Sequence, residues 1–461
     1  MSAVGTAVFR NHASGAPTES SLGQAVGADI ILARIVVIVF IFFDVIYAPL
    51  KLGLYRGGLE YILYAPKAAM ALLPILSLIY IRKTGSMMIT FILLLAMGVS
   101  AIIGYHFFGS IPQIAFEFYI FFPLLFGCYY GAQLWSPSVV KALTILWFVA
   151  SLGIIGNFFG DYPWSGLDLE IDGRAVHVAR AWATDLGGVS RLAGFSSASY
   201  SVACQLMVIG TILLFLEKRL ALKLVYSIVG FALIIATTTK GAIAAYFVIL
   251  LIFWSRKLGN RIYMPTLIIA SLANVLLPLY AYHQYLFSKS ISESGVSGFQ
   301  YWFIGLNSFV ARIAWFWPNV MKFILDHGSA YWGAGLGGMG TSVVLFYDEG
   351  VQIASADNMF LYLFGNFGLL AVIFYIFLVI RPMMVPWTSY YRFAKLLILL
   401  TVLYGVIGVP IERPTFCLVM GSALGMLFRR RQKEGARRLR PYVRNRYVLS
   451  AAAWREEGAM P

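Results

Sequence analysis

Charge is what this sequence has least of. Asp, Glu, Lys and Arg make up 12% of its 461 residues, about half the share a soluble domain uses to cover its surface. Cysteine is nearly absent as well. Cys128, Cys204 and Cys417 all fall inside apolar runs, which argues against a disulfide framework or a cysteine metal centre and leaves small packing residues. The five histidines, at 12, 106, 177, 283 and 327, have neither metal nor relay spacing. The first 28 residues lack the basic start, apolar run and cleavage site of a signal peptide, and read as a disordered cytoplasmic leader.

What fills the chain instead is apolar: 60% hydrophobic and 16% aromatic residues. Runs of about 20 residues, the length that crosses a hydrocarbon core, recur from end to end. About twelve spans are expected, over 30–50, 66–82, 87–105, 110–130, 138–159, 199–216, 223–238, 240–255, 262–281, 358–380, 393–409 and 411–428. The fold class is therefore an all-α polytopic membrane protein, with one transmembrane domain over 29–428 and a basic tail over 429–461. The tail carries ten Lys/Arg against three acids. With that tail cytoplasmic, twelve spans place the N-terminus inside too. The short inside loops then hold twelve basic residues, Arg381, Arg392 and Lys395 among them, against five outside, which is the positive-inside bias. The net charge of +15 points to anionic lipid headgroups rather than nucleic acid.

Two loops, about 160–198 and 282–357, break this economy, and both fall on the outer face. The stretch 299–328 is too interrupted by polar groups to cross; one or two interfacial helices are expected, with helical propensity running up to Pro318. Cations are thin on this face, yet Arg191, Lys240, Arg312 and Arg413 each stand at a span end or in an aromatic, amphipathic stretch. Snorkelling to headgroups is one explanation for each. The other is a shared site for a lipid phosphate or pyrophosphate, since a desolvated arginine persists beside an anion and its fork of donors suits phosphate.

Acids supply the second ingredient. Asp357 opens a span, where its carboxylate is either a general base for a sugar hydroxyl or, like Ser355 and Asn358, a helix N-cap. Asp44 and Glu117, inside spans, are candidates to pair with the cations or to couple protons in a transporter. "GAGLGGMG" (333–340) follows no strand and precedes no Lys-Ser/Thr. It is a turn that lets backbone or ligand come close, not a nucleotide loop. "DLEIDG" (168–173) alternates three acids that suit a hard cation or, with no further ligand, a solvated loop edge.

Four stretches together resemble a family. "SRLAGFSSASYSVACQL" looks like the arginine–glycine motif before a mid-chain span in bacterial O-antigen and exopolysaccharide polymerases and O-antigen ligases. "TTTKGAIAAY" is similar to that group's turn of small residues, a basic residue and glycine. "RIAWFWPNVMKFILDHGSAYWGAGLGG" resembles its Arg-x-x-Trp stretch leading into a glycine run, and "SADNMFLYLFGNFGLLAVIFY" the start of the helix that follows. The resemblance covers about residues 190–380, in the right order. It implies a bundle related to the GT-C membrane glycosyltransferases, in the bacterial inner membrane, with chemistry on the periplasmic face. The substrate it implies is a glycan on undecaprenyl pyrophosphate, with no cofactor or metal, and chain-length regulator and export proteins as partners. Carried over by position, Arg191 and Arg312 bind the pyrophosphate and Lys240 takes the second basic role. Asp357 stands where the ligases have histidine, which favours a polymerase over a ligase. A lipid-linked-sugar flippase is the rival from another class, and Asp44 and Glu117 would suit it.

Overall fold

Each apolar run expected as a span falls on helix in the computed structural model, which describes residues 19–80, 86–171, 174–179, 191–255, 259–288, 307–347 and 356–428. The leader up to residue 18, the tail 429–461, Asp172 and Ser355 lie outside the described residues. In chain order the helices are α1 (Glu19–Val45), α2 (Tyr47–Arg56), α3 (Ala65–Tyr80), α4 (Ser86–Phe108), α5 (Ile111–Tyr130) and α6 (Pro137–Phe159). They continue as α7 (Ser199–Leu216), α8 (Leu220–Ala236), α9 (Lys240–Trp254), α10 (Gly259–Ser288), α11 (Asn307–Ala311), α12 (Trp317–Asp326) and α13 (Thr341–Phe346). The last four are α14 (Met359–Phe367), α15 (Leu369–Met384), α16 (Ser389–Gly405) and α17 (Pro414–Phe428).

Five of these helical stretches are long and apolar enough to cross a membrane: Met87–Phe108, Ile111–Leu134, Pro137–Phe159, Ser199–Leu216 and Gly259–Phe287. The bent pair α1–α2 makes a sixth if taken as one span. α8, α9, α15 and α17 are apolar but only 15 to 17 residues long. At about 1.5 Å per residue they reach roughly 25 Å or less, short of a typical hydrocarbon core of about 30 Å. α17 is buried along its length, whereas the outward faces of α8, α9 and α15, like those of α4 and α10, present large apolar residues such as Phe91, Ile102, Ile228, Ile269 and Ile373. Water does not tolerate so much exposed hydrocarbon, and lipid does. The chain is a multi-pass helical membrane protein.

Several boundaries differ from the sequence expectation, each for a local reason. The leader is helical from Glu19 onward, so 19–28 belongs to α1. The first span stops at Val45, where the chain turns by 88° into α2. α2 packs Ala48 and Leu52 against Leu169, Val178 and Ala179 of the loop expected over 160–198. That loop holds an antiparallel hairpin, β1 (Asp168–Ile171) and β2 (Arg174–His177), a departure from an all-α chain. The Asp-Gly pair between the strands is the signal for such a hairpin. Asp168 and Glu170 of "DLEIDG" thus lie on a strand, and Asp168 pairs with His177 across the hairpin. Pro318 does not end its helix: α11 runs into α12 through a π turn over Arg312–Phe316, closed by Trp317 N–H donating to Arg312 O. The widened turn accommodates the carbonyls that a proline ring would strike and leave unbonded. α10 also runs through two prolines to Ser288, past the expected end of its span.

The tightest helix pair is α5 with α17. Both carry a small-residue repeat, Gly127/Gly131 and Gly421/Gly425, and a side chain at Gly421 would strike the backbone of Leu124. Such spacing lets helices approach where no hydrophobic force separates protein from lipid tails. At the far ends of α9, α15 and α17 basic residues of the loops expected on the inside act as caps. Arg392 donates to Ile252 O and Phe253 O, Lys395 to Val385 O and Arg381 to Leu427 O. Positive charge there satisfies the last carbonyls and complements the helix dipoles.

Lys51, on α2 outside the spans, is buried at 2% exposure and donates to His177 O at 2.8 Å. Burial pushes its pKa down to about 8 from the ordinary 10.5, and the nearby Asp168 opposes that only in part. Above about pH 8 the unfolded chain therefore binds the lysine proton more tightly than the folded one. Stability held back below about pH 8 is recovered as the pH rises towards 10.5. The apparent melting temperature should climb across that window in the wild type and climb less steeply in Lys51→Met. A flat wild-type profile would refute the assignment.

Candidate functional site at one end of the bundle

The turn between α16 and α17, residues 406–413, gathers the candidate residues at one end of the bundle. Asn358 is the N-cap of α14: its Oδ1 accepts from Leu361 N at 2.9 Å. Its Nδ2 donates to Val406 O at 3.1 Å and Asn274 O at 3.2 Å, so this fully buried side chain joins α10, α14 and the turn. With Asn358 capping, Asp357 is not the cap. Asp357 has φ +43°, a left-handed conformation that aspartate tolerates better than most residues. Its carboxylate Oδ2 meets Arg312 Nη2 at 2.9 Å, with the two side chains 36% and 20% exposed.

Arg413, half-buried at the head of α17, lies with its guanidinium 4.0 Å over the ring of Tyr200 on α7. Its buried Nε has no hydrogen-bond acceptor among the described residues. Asp44 Oδ2 accepts from Thr415 Oγ1 at 2.5 Å and from Thr415 N at 3.4 Å, which caps the start of α17. Gln205 donates to Asp44 O at 2.8 Å and Ser196 Oγ at 3.2 Å, while its own Oε1 is buried without a donor among the described residues. Asp44, Gln205, Arg413 and Thr415 line a small cleft. Lys240, exposed, is the first residue of α9; the tight turn before it passes through Thr238 at φ +57°, and Gly241 packs under Ile407 of the α16–α17 turn.

Arg191 reaches this end through its backbone segment. Ala193 N and Gly194 N donate to Asn157 Oδ1 at 3.1 and 3.2 Å, Phe195 O accepts from Ala48 N, and Ser196 meets Gln205. Arg191 itself is half-buried, and its Nε has no acceptor among the described residues. Glu117 is deeper. It has no exposure and accepts from Ser342 Oγ at 2.7 Å and from the Tyr362 hydroxyl, binding α13 and α14 to α5. The glycine run is structural: Ala334 N donates to Gly365 O, Leu336 N to Ser100 O and Gly337 N to Asn366 Oδ1.

Sequence reasoning missed three contributors. Glu412 accepts from Thr341 N at 2.6 Å and Thr341 Oγ1 at 2.9 Å, tying the glycine run to the turn that carries Arg413. Its place beside Arg413 in "PIERPTF" was the available signal. Tyr200 and Gln205 had none, because only helix packing brings them to Arg413 and Asp44. The described residues hold no group of three or more His, Cys, Asp or Glu side chains placed for a metal ion.

Fold and site together define a multi-pass helical membrane protein with an ion pair and further basic residues at one end of its bundle. No protein-family model, curated protein or solved structure matches the chain.

Proposed function

We propose that this chain is a polysaccharide polymerase of the bacterial inner membrane, joining undecaprenyl-pyrophosphate-linked oligosaccharide repeats on the periplasmic face. The observation that carries this reading is the Arg312–Asp357 pair, at the bundle end that also receives Lys240, Arg413 and the segment of Arg191. Phosphate-binding cations beside a carboxylate are the chemistry of a glycosyl transfer with a diphosphate leaving group. The basic caps Arg381, Arg392 and Lys395 lie at the opposite helix ends, so the positive-inside rule puts the site outside. In this reading all twelve apolar runs cross, the short helices in a locally thinned bilayer, both termini are cytoplasmic, and the bundle is related to GT-C.

The reaction is one displacement. A hydroxyl of the incoming lipid-linked repeat attacks the anomeric carbon of the donor chain and forms the new glycosidic bond. The bond from that carbon to the diphosphate oxygen breaks, and undecaprenyl pyrophosphate leaves with the electron pair. The hydroxyl proton passes to Asp357. Arg312, with Arg191, Lys240 and Arg413, stabilises the charge that develops on the leaving oxygen. A carrier draws less support. Asp44 and Glu117, the acids that would couple protons, are both engaged in hydrogen bonds that hold helices together.

The test is purified protein in nanodiscs with undecaprenyl-pyrophosphate-linked repeats, EDTA and no nucleotide sugar. A gel ladder in multiples of the repeat is expected. Its absence with authentic substrate would return the chain to transport or to a ligase lacking its acceptor.

A further inference from the structure

We propose that Asp357 is a built-in occupant of the phosphate site on Arg312, and that the donor's diphosphate displaces it and so frees the carboxylate for the acceptor hydroxyl. This rests on the functional reading above and adds to it an order of events.

The geometry supplies the argument. A carboxylate and a phosphate offer a guanidinium the same kind of acceptor oxygens, and Asp357 Oδ2 already holds Arg312 Nη2 at 2.9 Å. While it does so, that carboxylate oxygen is taken up by the guanidinium and is not open to a sugar hydroxyl. That Nη2 donor reaches the leaving group, and that Oδ2 accepts the hydroxyl proton, only once the two separate. The pair is reachable, at 20% and 36% side-chain exposure, whereas Glu117 is fully enclosed. Partly exposed pairs are weak, and a diphosphate carries more charge than a carboxylate, so the exchange runs towards the ligand. Separation also spares the fold. The adjacent Asn358 holds the helix start through three hydrogen bonds that do not involve Asp357. Until donor arrives, the base stays clamped, which protects against deprotonating a hydroxyl with no leaving group in place.

The anion that displaces Asp357 has two sources, a lipid-linked diphosphate or a bilayer phospholipid headgroup, and the experiment separates them. Binding of undecaprenyl pyrophosphate is measured on the full chain in nanodiscs of zwitterionic lipid and in nanodiscs containing phosphatidylglycerol. Asp357→Asn should bind about tenfold tighter than wild type in both, since the internal competitor is gone. Adding Arg312→Ala should cancel the gain. Glu412→Gln removes an equal charge from beside Arg413 while leaving the Arg312–Asp357 pair in place, and should give a gain well below that of Asp357→Asn. Equal affinity of wild type and Asp357→Asn, or an equal gain in Glu412→Gln, overturns the displacement while leaving the polymerase reading standing. A difference that vanishes in phosphatidylglycerol assigns the exchange to headgroups and overturns the donor assignment. Failure of both wild type and Asp357→Asn to bind overturns the functional reading together with this one. Infrared difference spectra on adding inorganic pyrophosphate to wild type give a check independent of variant folding. The Asp357 carboxylate band should shift, and an unchanged band refutes the proposal.

Discussion

Arg312→Ala should lower polymer formation by about 10³-fold, the effect of removing a donor aimed at charge that develops in the transition state. The loss should appear mainly in turnover, because the leaving diphosphate gains its full charge only as the glycosidic bond breaks. Arg312→Lys keeps the charge but loses the planar fork, and should fall between the two, about tenfold below wild type. A structural role would look different. The pair is partly exposed, so losing it should cost under about 1 kcal/mol and leave the melting transition nearly in place. Arg312→Ala retaining activity within about threefold of wild type, measured as repeats joined per minute, would remove Arg312 from the site.

Gly335→Ala should destabilise the protein by about 3 kcal/mol or more. Its φ is +84°, where a side chain is strained, and its Cβ would come within 2.8 Å of the Ile103 carbonyl carbon and nearer still to the backbone of Gly104. Backbone on a packed helix cannot retreat as the tip of a flexible side chain does, so strain and overlap add. Gly98 on the same helix α4 is the control, since a methyl there meets nothing within 4 Å. Gly98→Ala should change stability by no more than about 1 kcal/mol. Unfolding in mixed detergent micelles reads both. A Gly335→Ala variant as stable as wild type would mean that the glycine run does not pack on α4.

How much of this was legible in the sequence depended on how local the cause was. The apolar helices were legible because apolarity acts on every residue of a run, although only five, or six with the bent pair, are long enough to cross. The hairpin at 168–177 was legible in principle from its Asp-Gly pair, yet the alternating acids fit a solvated loop edge or a cation site equally without a strand. The start of α14 shows the limit. Local pattern offered Ser355, Asp357 and Asn358 as caps, and packing decided: Asn358 is the residue whose amide also reaches Val406 O and Asn274 O. The interruption expected at Pro318 was absent because a π turn, invisible to propensity, absorbs the proline.

The sequence by itself determined that this chain is a helical membrane protein, which apolar runs form its helices though not where each one ends, and which few charges stand apart from the basic caps. These follow from composition and period, properties a chain has before it folds. Tertiary structure alone decided that Arg312 faces Asp357, that Arg413 lies over Tyr200 and that Asp44 caps α17. Those partners are far apart along the chain. They meet because glycine-lined faces let α5 and α17 approach closely, and because the ends of α1, α7, α10 and α14 come together around the turn between α16 and α17.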